Sequence, residues 1–428
     1  MSSRTSLYDV TYQLRAHKRD RFIEFIKSLL LTPFILSTKP KEQQDRNTPR
    51  YLEILGCIEE LVEDHINCVQ MGKPDSARLN RLVPSLGRFF TKLPLQQAYE
   101  YINENRSIST RRFVPPSFND IRHLLNHAQI LEIAKQLKLI TFDGDYTLYA
   151  DGQDFAKDSA LVGLIISLLQ HGIKVAIVTA AGYPGDAVRY EQRLSGLLDG
   201  FRNFKKNKDI FSNFYVLGGE CNYLFQYSPE DEHLHYIPEE EYQPEFLKEW
   251  STDEDRIQEM LNVAENHLKK RLKEMGYEQK VSIIRKMRAV GVSPKPGFKL
   301  SREQLDELSL AVQAVLDQHN FNKIPGSPTT KRRRIGKSIS IPFSNTIPYC
   351  AFNGGSDVWV DIGNKLIGVK VLQELLKTEG HETLHVGDQF LSTGNDIATR
   401  NCCCTIWITN PEETQDVLIQ LTNMLAEI

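Results

Sequence analysis

Short apolar runs in this chain end abruptly in polar residues, and helix-length segments connect them. Leu137 to Phe142 stops at Asp143-Gly144-Asp145. A helical stretch, Ser159 to Gln170, follows, with Gly172 as its stop. The next run, Lys174 to Val178, ends at Thr179. This strand–helix–strand rhythm restricts the fold to a parallel sheet covered by helices. It returns near 348. Helix Leu366 to Lys377 leads into strand Thr383 to Val386, and strand Cys403 to Ile408 comes before the last helix. Asn410 suits the cap of that helix, Pro411 its first turn, and Glu413 closes a capping box.

The flanking regions read differently. Residues 1–115 carry helical spacing in Ile23, Ile26, Leu29 and Leu30, and again in Leu52, Leu55, Ile58 and Leu61. No catalytic constellation is visible there, and Arg111 to Pro116 reads as a linker before a helix over Ile121 to Gln136. Between 186 and 345 the rhythm breaks. Two helices, Asp253 to Met275 and Ser301 to His319, precede a polar stretch, Gly326 to Lys337, with the basic run Lys331-Arg332-Arg333-Arg334. That run reads as a solvated loop ahead of a nuclear localisation signal. The expected organisation is α/β: a helical domain at 1–115, a core at 116–185 and 346–428, and an inserted domain at 186–345.

Composition narrows the function classes. A net charge of −3 and a pI near 6.4 argue against a nucleic-acid binder. Met1 to Val10 has no apolar core of the secretory type. The apolar stretch Phe22 to Leu36 contains Glu24, Lys27 and Pro33 and is too short to span a bilayer. The expectation is a soluble, cytoplasmic protein. Of seven cysteines, three are consecutive, Cys402 to Cys404. Neighbours on a strand point to opposite faces, so they read as reduced core thiols and not as a ligand set.

The strand ends hold the chemistry, because ligands of open α/β sheets bind beyond the carboxyl ends of the strands. Asp143 and Asp145 with Thr147, then Thr179, Lys365, and Asp388 with Asn395 and Asp396 occupy such positions. Crowded carboxylates repel, and a divalent cation removes the conflict. Magnesium takes oxygen ligands from one or two carboxylates plus a substrate phosphate. Asp143 and Asp388 are candidate side-chain ligands and Asp145 a ligand through its backbone carbonyl. That leaves the Asp145 side chain free to protonate the leaving alkoxide, with Asp143 as the nucleophile on phosphorus. Thr179 and Lys365 neutralise charge on the non-bridging oxygens. Lys370 rivals Lys365 for the lysine role.

These residues resemble the haloacid dehalogenase-like phosphatases. The first motif, DxDxT, is Asp143-Gly144-Asp145-Tyr146-Thr147. Thr179 matches the second and Lys365 the third. Asp388 and Asp396 match the acidic pair of the fourth, Asp396 lying behind the ligands. The resemblance implies a Rossmannoid core with a C2-type α+β cap. The segments Phe142 to Tyr149, Tyr190 to Leu198 and Phe352 to Trp359 are similar to the IMP-specific 5'-nucleotidases of fungi and apicomplexan parasites. That resemblance implies magnesium-dependent hydrolysis of IMP to inosine and phosphate, a homotetramer, and activation by ATP. It makes Asp151, Arg193 and Asp357 candidate substrate contacts, with surface ion pairs or turns as the alternative. It makes His123 a candidate for stacking ATP, against an ordinary partly buried histidine. Leu217-Gly218-Gly219-Glu220 is either an approach to the base or a hairpin turn. Two other functions compete: a sugar-phosphate phosphatase or phosphomutase, and a nucleotide-sensing scaffold without turnover.

Overall fold

The computed structural model describes residues 20–36, 47–83, 86–111, 114–244, 253–319 and 347–427. The basic run 331–334 and part of the 111–116 linker lie outside them.

A seven-stranded sheet forms the centre, in the order β11-β10-β1-β2-β3-β4-β5. Its strands are β1 (Leu139–Phe142), β2 (Lys174–Val178), β3 (Phe214–Gly218), β4 (Tyr223–Ser228), β5 (His233–Ile237), β10 (Thr383–Gly387) and β11 (Cys404–Trp407). Strands β11, β10, β1, β2 and β3 run parallel, and β4 and β5 return as antiparallel hairpins. Alternation assigns the two faces. Ile140, Phe142, Val175, Ile177, Val386 and Ile406 join one core, while Leu139, Ala176, Val178 and Leu217 join the other. The cysteine run alternates only at its last step: Cys402 and Cys403, which precede β11, both pack into one core and Cys404, its first residue, into the other, all three thiols being buried.

A second sheet is antiparallel throughout, ordered β6-β7-β9-β8. It contains β6 (Val281–Arg285), β7 (Ala289–Pro294), β8 (Tyr349–Asn353) and β9 (Val358–Ile362). Two helices, Glu254–Glu274 and Arg302–Gln318, contribute Leu261, Leu268, Leu305 and Val312 to its core. Asp306 ties this unit to the large sheet by accepting from Asn353 Nδ2 at 2.9 Å and Thr393 Oγ1 at 2.8 Å.

The strands divide the chain elsewhere than at 186 and 345. Residues 214–237 complete the large sheet, and 349–362 belong to the small one. Local periodicity marks a segment as a strand without saying which sheet accepts it, because its partners are distant in sequence. The N-terminal helices Arg21–Leu36, Asn47–Gln70 and Leu95–Arg106 form a third core. Helix Phe118–Ile133 joins that core through Ile121, Leu124 and Ala128, and the sheet through Ile130 and Ile133. In the C-terminal helix, Pro411–Glu427, Asn410 accepts from the Glu413 N–H at 2.9 Å as expected. The Glu413 carboxylate does not close a box on Asn410. It takes the Thr409 N–H and both terminal nitrogens of buried Arg122, each at 2.7 Å. Among the described residues no helix is long and apolar enough to cross a membrane.

Candidate active site

Three parallel strand ends converge on one cleft of about 390 Å³ between the two sheets. Asp143 follows β1 directly, and its N–H continues the ladder onto Val386 O. Thr179 follows β2 and Asp388 follows β10, and both line the cleft with Asp143 and Asp145. Lys365 enters from behind. It opens the helix Lys365–Leu376, capped by Asn364, whose Oδ1 accepts the Ile367 N–H at 3.0 Å.

A cation at a helix N-terminus meets an unfavourable dipole, so it needs strong anionic partners. Lys365 is fully buried, and its Nζ lies 2.7 Å from both Asp143 Oδ1 and Asp396 Oδ1. Lys370 is exposed on the same helix. Asp396 is fully buried as well. Its Oδ1 also accepts from His385 Nε2 at 2.8 Å, and its Oδ2 from the Gln389 N–H at 2.8 Å. His385 Nδ1 faces Thr141 Oγ1 at 2.8 Å, which fits a neutral ring donating from Nε2. Gly387 permits the arrangement, since a Cβ there would lie 2.5 Å from Asp396 Cγ.

The charges sort the acids into roles. Burial pushes Asp143 up to about 7, against the pull of Lys365. Burial pushes Asp388 well above the carboxylate range, and Asp143 and Asp396 add to the rise. Asp396 goes the other way: burial opposes its charge, but Lys365 and the His385 bond outweigh it. Asp145 is raised by burial, with Arg193 opposing. Its Oδ1 accepts from Arg193 Nη2 at 3.3 Å and the Gly152 N–H at 3.2 Å.

Carboxylate oxygens of Asp143, Asp388 and Asp396 all lie within 4.8 Å of one another. Three facing carboxylates, two of them resisting ionisation, form an oxygen donor set that fits a divalent cation. Asp396 already spends both oxygens on Lys365, His385 and Gln389, so Asp143 and Asp388 have the oxygens to spare.

The substrate candidates distribute as follows. Asp151 lines the cleft, and its Oδ2 accepts from Tyr146 at 3.2 Å and from Ser356 of the small-sheet unit at 3.1 Å. Asp357 lines the same wall. Arg193 ends the helix Ala187–Arg193 and turns its guanidinium to Asp145 and, at 3.9 Å, Asp154. His123 is not part of this cleft. It lines a separate one of about 310 Å³ with Tyr101, Arg106, His127 and Glu413.

Several site residues left no recognisable pattern in the sequence. The segment after β3 makes a hairpin turn, with Gly219 and Glu220 at φ +59° and +66°. The turn buries Glu220 completely. Its N–H donates to Thr179 O at 2.9 Å, and its Oε1 accepts from Asn395 Nδ2 at 2.8 Å. Burial pushes its carboxyl up to about 7. Lys286 and Trp359 line the cleft from the small sheet. Two consecutive glycines announce the turn, but nothing local announces that its acid points inward.

A parallel sheet with an acid after its central strand, a buried lysine and an acidic pair defines a haloacid dehalogenase-like core with an α+β insertion, the architecture of aspartate-based phosphatases. The comparisons narrow the class. A family model for IMP-specific 5'-nucleotidase matches residues 1–418. The chain is 41% identical to IMP-specific 5'-nucleotidase 1 of Yarrowia lipolytica and 39% to that of Saccharomyces cerevisiae; the alignments cover 98% of this chain in each case, and 98% and 99% of those proteins. Among solved structures it resembles the IMP-bound, N-terminally truncated IMP-nucleotidase of Plasmodium falciparum, with a TM-score of 0.80 at 36% identity over 95% of this chain and 96% of that one. The ATP-bound form of that enzyme gives 0.78 at 36% identity, over 97% and 88%. The chain belongs to the IMP-specific 5'-nucleotidase family and is a phosphoric monoester hydrolase.

Proposed function

We propose that this enzyme hydrolyses inosine 5'-monophosphate through an aspartyl-phosphate on Asp143. The observation that carries the reading is the Asp143 carboxylate at the floor of the cleft, 2.7 Å from Lys365, in a chain of this family. An Asp143 oxygen attacks phosphorus while the bond from phosphorus to the ribose O5' breaks. Asp145, whose raised carboxyl suits a proton donor, protonates O5' as inosine leaves. Asp145 then takes a proton from water, the water oxygen attacks phosphorus, and the acyl–phosphate bond breaks to release phosphate and Asp143. Lys365 and Thr179 balance charge on the non-bridging oxygens. Asp143, Asp388 and the Asp145 carbonyl would hold magnesium, which when bound would supply Lewis-acid neutralisation of the phosphate and the facing carboxylates. Asp151, Arg193 and Asp357 contact the nucleotide from the cleft walls.

Acid quenching during turnover of phosphate-labelled IMP tests the pathway. The wild type retains label on protein and Asp143→Asn does not. Full turnover with no label trapped at any time point would exclude the covalent route.

We further infer that ATP acts at the His123 cleft. Burial, with Arg122 and Arg106, pushes His123 down to about 4, so its ring is neutral, and Arg106 Nη2 lies 2.9 Å from it. Tyr101 and His127 stack nearby with centroids 4.0 Å apart. A neutral ring beside an arginine suits a base and a phosphate. The proposal extends to a cytoplasmic homotetramer, which sizing in solution tests.

A further inference from the structure

The cleft has two walls with different chemistry. Its floor comes from the ends of β1, β2 and β10, where the phosphate groups converge. Its roof comes from the small sheet, so the part of the substrate remote from phosphorus must face Lys286, Trp359 and their neighbours. Lys286 sits at the tip of the β6–β7 hairpin, closed by its own N–H on Ala289 O at 2.8 Å. Its ammonium stands 4.5 Å from the centroid of the Trp359 ring and 5.7 Å from that of Tyr183. Trp359 pairs with Gly291 across the strands. A Cβ at Gly291 would lie 2.5 Å from the indole ring, so the missing side chain is what lets that ring rest on the sheet. The result is a flat aromatic support that holds a cation over the cleft. Among the described residues no carboxylate oxygen lies within 4 Å of that ammonium, although the carboxyls of Asp357 and Asp361 are close enough to feel its charge.

We propose that Lys286 reads the 6-oxo edge of the purine, and that it is the residue by which this site separates a hypoxanthine nucleotide from an adenine one. An ammonium offers three donors and no acceptor. A 6-oxopurine presents two adjacent acceptors, O6 and N7, whereas adenine replaces O6 with an amino donor. Against the wrong base the ammonium faces a like dipole and loses a partner, and a site built for a hydrogen bond discriminates strongly against ligands that lack it. The aromatic support fixes the position of the charge before substrate arrives, which lowers the entropy cost of the contact.

The proposal rests on the IMP reading, and the experiment separates the two. The full-length enzyme and Lys286→Met are assayed with magnesium on IMP, AMP, purine riboside 5'-monophosphate, which has no group at position 6, and ribose 5-phosphate. Wild type should prefer IMP over both other nucleotides. In Lys286→Met, kcat/KM for IMP should fall roughly 10- to 100-fold, the worth of a hydrogen bond to a charged group, to the level of purine riboside monophosphate. Turnover of ribose 5-phosphate should be spared. An equal loss on ribose 5-phosphate would make Lys286 a phosphate or packing residue and overturn the proposal. So would an unaltered ratio of IMP to purine riboside monophosphate. That ratio also tests the idea in the wild type alone, should the variant fail to fold: equal rates there refute it. Turnover of no purine nucleotide at all would sink the underlying reading, and the proposal with it.

Discussion

Replacing Lys365 by Met probes the site at its most loaded point. The ammonium is fully buried and touches two carboxylates at 2.7 Å each. Deleting it leaves Asp143 and Asp396 facing each other and Asp388 with no cation between them. Breaking a buried pair this way costs about 3–5 kcal/mol, because the remaining charge is stranded. For a protein of 428 residues that lowers Tm by roughly 3–6 °C. The pH dependence follows from the direction of the shifts. In the wild type Asp396 is depressed, so it stabilises the fold above its unfolded value of 3.8 and loses that contribution on acidification. In the variant the same carboxyl is raised. A raised carboxyl favours the fold below its unfolded pKa and weakens it as pH rises through the folded one. The stability gap between the two proteins should therefore be small near about pH 4 and widen toward about pH 7. The assay is thermal unfolding in chelator across that range, with phosphate release from IMP alongside. Loss of a preorganised cation should lower kcat roughly a hundred- to a thousandfold. Lys370→Met, on the exposed side of the same helix, should change stability by less than about 0.5 kcal/mol and keep full turnover. Wild-type turnover in Lys365→Met, or a gap that does not open with pH, would refute the reasoning.

Other perturbations follow from the same geometry. Asp143→Asn should lose turnover yet unfold in chelator at or above the wild-type Tm, since it removes a carboxylate whose charge burial opposes; a lower Tm would mean the acid is a structural partner. Chelation should stop phosphate release and lower stability at neutral pH more than at acid pH, because Asp143 and Asp388 are both raised; melting curves with and without magnesium measure it. Gly387→Ala should cost about 1–3 kcal/mol by pushing on Asp396, with turnover falling in parallel. His123, depressed to about 4 and only 18% exposed, supports the fold above its unfolded pKa of 6.5, and that support is lost as pH falls through 4. It is worth on the order of 3 kcal/mol at most, so His123→Gln should flatten urea stability between about pH 6.5 and 4.

How much was legible in the sequence depended on how local each determinant is. The alternation within Lys174–Val178 and the polar residues just past it are properties of neighbouring positions, so the strand and its role in lining a cleft could be read directly. Helix ends were equally local: Asp253 and Ser301 cap the two helices of the small-sheet unit through N–H groups three residues on. The cysteine run met the expectation of buried thiols, but alternated only between Cys403 and Cys404, because the strand begins at Cys404.

The parallel α/β core and the set of acids at its strand ends are encoded locally, because both rest on periodicities and turns spanning a few residues. Which sheet accepts residues 214–237 and 349–362, and which lysine is buried, depends on packing between distant segments. That packing alone brings Glu220 to Asn395 across 175 positions, His385 to Asp396, and Lys286 over Trp359. Such pairings are stabilised by burial and charge between segments far apart in the chain, and no local pattern encodes a partner that distant.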